Sequence, residues 1–172
     1  MKRLMMIILL LAVPPLPLHG APRGRDGHEL RARLTGFQET PLTLASSARG
    51  QFLATISEDE TSIDFQLSYQ GFDTDVRAAH IHLGRPATTG GVTIFLCGGG
   101  GRPACPVRAG IVQGTITAAN VLPIPTQDLA AGDLASIIAA IREGATYANV
   151  HSRKRPGGEI RGQILTDEDD DR

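Results

Sequence analysis

Tryptophan is absent from the 172 residues, and two tyrosines and five phenylalanines supply all the aromatic surface. So sparse a set offers no platform on which nucleobases or sugars could stack. An excess of one charge is missing too. With Lys2, Arg3 and the end from Asp167 onward set aside, 14 basic side chains face 13 acidic ones. That balance excludes the electrostatic footprint of a nucleic-acid binder. No apolar run approaches the roughly 20 residues a membrane helix needs, so no membrane span is expected. The usual nucleophile signatures are also lacking: there is no G-x-S-x-G elbow, and Gly98–Gly101 leads into neither a Lys-Ser pair nor a helix start, so it is not a phosphate loop. No catalytic residue is expected.

Cysteine is scarce, but its two copies are close together. Cys97 and Cys105 are separated by GGGGRPA. An even count in an exported chain points to a disulfide, whereas a thiolate metal pair would need further ligands that this loop does not contain. Export is expected from the first residues. Lys2 and Arg3 precede the apolar run Leu4–Val13, and Pro14, Pro15 and Pro17 then end it, the pattern of a signal peptide over residues 1–20. The protein is therefore expected to be secreted or periplasmic. Residues 21–27 form a polar lead-in, 28–166 the folded domain, and 167–172 an acidic tail.

Within the domain, strand signals come at short intervals. Gly50–Ser57 alternates with Phe52, Ala54 and Ile56 on one face, and Ser62–Tyr69 with Ile63, Phe65, Leu67 and Tyr69. They make a hairpin around Glu58-Asp59-Glu60 that lacks the Asn-Gly turn signature. Further strands are expected at His28–Leu34, Ala78–Gly84, Val92–Leu96, Ala109–Thr117, Ala145–Ser152 and Glu159–Leu165. One helix interrupts them: Asp133 can cap it, Leu134, Ile137, Ile138 and Ile141 share a face, and Gly144 stops it. The expectation is an all-β, antiparallel Greek-key sandwich or barrel of about eight strands with one short helix.

Three of these strands gather polar side chains. Alternation puts His80 and His82 on one face against Ala79, Ile81 and Leu83. The same parity places Tyr147, Asn149 and His151 together, and Glu159, Arg161 and Gln163 together. Two imidazoles on one strand face can meet a single ion, so His80, His82 and His151 are candidate metal ligands, for copper before zinc. Asn149, Glu159 and Arg161 are candidates for the surrounding support, with Glu159 either a fourth ligand or a carboxylate that fixes a histidine tautomer. The plainer expectation is a polar network in which Glu159 accepts from a histidine and from Arg161 and holds the strands in register.

These stretches, AAHIHLG at Ala78–Gly84 and YANVHSRKRPGGEIRGQ at Tyr147–Gln163, resemble the CHRD domain, the module repeated in chordin and found singly in bacterial exported proteins. The loop Gly36-Phe37-Gln38-Glu39-x-Pro41 is similar to that family's opening motif. The resemblance spans His28 to Leu165 and implies a CHRD domain without implying an activity. A more distant similarity links the H-x-H strand, and a histidine on a late strand, to copper-zinc superoxide dismutases. Arg85–Gly110 holds no histidine or aspartate, so their zinc site has no counterpart here. Two readings follow: a non-enzymatic binding or structural module of unknown partner, an extracellular protein being the candidate, or a copper-binding protein with a three-histidine site and superoxide dismutase-like chemistry.

Overall fold

The computed structural model describes residues 28–167. The expected signal peptide, the lead-in at residues 21–27 and the acidic tail beyond Asp167 lie outside the described residues. Nine antiparallel strands make one nearly closed, barrel-like sheet: β1 (Glu29–Thr35), β2 (Arg49–Ile56), β3 (Ser62–Gln70), β4 (Val76–Leu83), β5 (Gly91–Cys97), β6 (Gly110–Thr117), β7 (Thr146–Ser152), β8 (Ile160–Gln163) and β9 (Leu165–Thr166). Their spatial order is β5-β4-β7-β8-β1-β2-β3-β6, with β9 also paired to β1. The all-β expectation holds, with one strand more than the sequence suggests. The last predicted strand is interrupted at Ile164, and both pieces lie against β1, with Arg161 facing Thr35 and Leu165 facing Arg31, while Gly162 faces Ala148 of β7. Gly162 permits the close approach of β1, since a Cβ there would lie 2.4 Å from the Arg33 carbonyl oxygen.

Alternation in β2 and β3 buries Phe52, Ala54, Ile56, Ile63, Phe65, Leu67 and Tyr69 in the core. Side chains replace the missing turn signature. Ser57 Oγ and Asp59 Oδ1 both accept from the Thr61 amide, at 3.1 and 3.2 Å. The helix α1 (Leu134–Arg142) follows its cap, with Ser136 N donating to Asp133 Oδ1 at 3.0 Å, and it buries Leu134, Ile137, Ile138 and Ile141. Among the described residues no helix is long and apolar enough to cross a membrane.

Cys97 and Cys105 form a disulfide, as the sequence suggested. The two strands at the ends of the sheet order each meet a cover. Leu122 N donates to the Thr93 carbonyl of β5 at 2.8 Å, and Arg102, inside the disulfide loop, donates from Nη2 to the Thr115 carbonyl of β6 at 2.8 Å.

Candidate functional site

Strand pairing puts the histidines side by side. His82 lies opposite Tyr147, His80 opposite Asn149, and Ala78 opposite His151, so His80 and His151 are diagonal neighbours. This face is not bathed in solvent: His80, His82 and His151 are 8%, 7% and 9% exposed. The Phe95 ring of β5 stands edge-on to His80 at 4.5 Å, and Tyr147 stacks on His82 at 4.7 Å.

Hydrogen bonds assign the tautomers. Nδ1 of His82 donates to the Gly90 carbonyl at 3.1 Å, and Nδ1 of His151 donates to the Pro156 carbonyl at 2.9 Å. Both rings therefore keep their lone pair on Nε2. Nδ1 of His80 stands 3.1 Å from His151 Nε2 and is the donor to it, which leaves the lone pair of His80 on its own Nε2. Nε2 of His80 and Nε2 of His82 are buried without a hydrogen-bond partner. The three side chains each offer a nitrogen within 4.8 Å of the others. Metal–nitrogen bonds of about 2.0–2.1 Å set ligating nitrogens roughly 3.4 Å apart, so the rings would have to close in to share one ion. Burial holds His80 down at about 3, reinforced by the neighbouring charges of His151 and His82, and holds His82 at about 4. Burial lowers His151 as well, against its bond to Pro156.

The other polar residues make a separate set of contacts. Glu159 accepts from Ser46 Oγ at 2.7 Å and from Ser152 Oγ, rather than from a histidine or from Arg161. Arg161 is buried and donates from Nη1 to Thr40 Oγ1 and to the Thr88 carbonyl, each at 2.6 Å, and from Nη2 to the Arg85 carbonyl at 3.0 Å. Its guanidinium lies 3.5 Å from the Tyr147 ring centre. Since β7 runs between β4 and β8, Tyr147 separates that cation from His82. Asn149 Nδ2 donates to Glu39 Oε1 at 2.6 Å and to the Ile160 carbonyl at 2.8 Å.

Glu39 is the participant that sequence reasoning missed. It sits in the Gly36–Pro41 loop, whose similarity to a family motif was its one signal. Buried in the fold, its carboxyl is pushed up to about 7 by desolvation, against the bond from Asn149 and the charge of Arg161. Gly158 makes room for it: at φ +127°, a Cβ there would meet Asn149 Oδ1 at 2.8 Å and Glu39 Oε2 at 2.9 Å.

A depression of about 520 Å³ opens over His80 and His151, with Arg77 and Arg153 among its lining residues. A larger groove of about 870 Å³, lined in part by Arg31, Arg33 and Arg49, holds none of the histidines. Size alone would favour that groove. The depression is the better site because chemically distinctive groups converge there. A family model described as CHRD domain matches residues 30–164. No curated protein and no solved structure matches the chain.

Proposed function

The chain belongs to the CHRD-domain family, and from that premise we propose that it is an exported, non-enzymatic binding module whose histidine face takes up one transition metal ion, copper before zinc. The observation that carries this reading is the pair of buried, unpartnered acceptors, His80 Nε2 and His82 Nε2. A buried acceptor without a partner costs about 1–3 kcal/mol, and these two belong to rings that, with His151, each offer a nitrogen within 4.8 Å of the others; an ion shared by all three would replace the bond that His151 Nε2 accepts from His80 Nδ1. The carbonyls of Gly90 and Pro156 support it further by fixing the tautomers of His82 and His151. The disulfide fits an oxidising compartment and supports export.

The test is metal content by elemental mass spectrometry. Untagged protein from the exported fraction is compared with its His80→Ala/His82→Ala variant. About one copper or zinc per chain, lost in the variant, is the expected result. Protein that arrives metal-free and refuses added copper and zinc would remove the metal reading.

A second reading, the structural network, is favoured by the contacts of Arg161, Asn149 and Glu159, which join β7 and β8 to the loops at Glu39, Ser46 and Arg85–Thr88. It uses residues that the metal reading leaves free, so the two coexist on one face.

A further inference from the structure

The metal reading leaves the ion's oxidation state open, and the surroundings of the histidines discriminate between one positive charge and two. Resting on that reading, we propose that the site is selective for cuprous copper over zinc and over cupric copper.

The donor set is the first ground. The cluster that can converge on an ion consists of His80, His82 and His151, three uncharged imidazoles. The nearby carboxylates are engaged elsewhere, Glu159 with Ser46 and Ser152 and Glu39 with Asn149. No thiolate is available, because Cys97 and Cys105 are joined to each other. An ion bound here keeps its whole charge.

The second ground is where that charge would sit. The rings are buried and walled by Phe95 and Tyr147. The cost of moving an ion out of water rises with the square of its charge, so a dication faces about four times the penalty of a monocation. With Glu159 and Glu39 held in bonds of their own, the cations nearest the rings oppose a dication more than a monocation. Arg161 lies behind Tyr147, and Arg77 and Arg153 line the depression that leads in. Their repulsion doubles when the ion's charge doubles.

Coordination number is the third ground. Zinc on three histidines completes its four ligands with a water, and cupric copper prefers a tetragonal set of nitrogen and oxygen donors, so either dication must draw water onto rings walled by Phe95 and Tyr147. A closed-shell cuprous ion is content with two or three imidazoles. Two adjacent strands supply three here. On unconstrained ligands the divalent order would put cupric copper well above zinc. A preference for the monovalent ion over both is therefore a signature of this site rather than of histidine in general.

Anaerobic titration of the full, untagged chain with cuprous copper, in competition with bathocuproine disulfonate, measures the first affinity. Parallel titrations with zinc and cupric copper against chromophoric chelators measure the other two. The expected result is one cuprous ion per chain, held at least a hundred-fold more tightly than zinc. Cuprous copper should also exceed cupric copper by at least a hundred-fold, which raises the bound couple by about 118 mV at 59 mV per tenfold change. Arg77→Gln/Arg153→Gln should strengthen zinc binding more than cuprous binding. His80→Ala/His82→Ala should abolish the cuprous site. His151→Gln, checked by circular dichroism, repeats that test with a smaller insult to the core. Zinc or cupric copper bound as tightly as cuprous copper would overturn this proposal while leaving the metal reading intact. Cuprous binding unchanged in a folded His151→Gln protein would also overturn it. Refusal of all three ions would remove both.

Discussion

Glu39 and the histidines are ionisable groups that folding keeps uncharged, and they respond to pH in opposite senses. The folded pKa values of His80 and His82 lie below the ordinary 6.5, so between about 4 and 6.5 the unfolded chain binds more protons there. Their contribution is complete above pH 6.5 and is lost as pH falls. Glu39, raised from 4.5 to about 7, contributes stability that is present below 4.5 and lost as pH rises through 7. Each fully unbalanced proton gives a slope of 1.36 kcal/mol per pH unit. Metal-free protein should therefore lose stability from pH 6.5 towards 4.5 in urea denaturation. His80→Gln/His82→Gln should flatten that slope by about 2.7 kcal/mol per pH unit. Because Glu39 pulls the other way between 4.5 and 7, the comparison with the variant is the decisive one: a slope unchanged in His80→Gln/His82→Gln would show that the histidines titrate normally. In Glu39→Gln the difference from wild type should move by about 1 kcal/mol in favour of the variant between pH 6 and 8.

At the scale of elements, Arg161 lets β8 hold two loops at once. The guanidinium fork reaches Thr40 on one side and the carbonyls of Arg85 and Thr88 on the other. Lysine carries the charge without the fork, so Arg161→Lys should cost about 2 kcal/mol. It should also speed hydrogen exchange around residues 85–88; unchanged exchange there would mean that the loops hold themselves. How much of this was legible in the sequence varies with the element. The hairpin of β2 and β3 and the helix α1 are written in apolar spacing that survives folding. The shared face of His80 and His82 follows from parity alone. Burial of that face does not follow from parity: it depends on Phe95 and Tyr147 arriving from neighbouring strands. The partner of Glu159 was hidden for a similar reason. Ser46 lies 113 residues away, in a loop with no periodic pattern to place it. The break between β8 and β9 at Ile164 is likewise not announced by that strand's own residues.

The whole molecule is one sheet wrapped so that β5 and β6, last to find neighbours, end beside each other. The disulfide closes a short loop between them, with its cysteines eight residues apart. Cross-linking so short a segment contributes about 2–3 kcal/mol by restricting the unfolded chain. Urea midpoints of Cys97→Ser/Cys105→Ser, or of wild type under a reductant, should fall accordingly. Identical midpoints with and without reductant would show that the bond adds nothing to folding. The same loop carries Arg102 onto the Thr115 carbonyl, as Leu122 covers Thr93 on the other flank. A bare strand margin is a template on which a second molecule can continue the sheet. Opening the sulfur bridge would thus unlatch one of those margins and leave it free to pair with a strand of a second molecule.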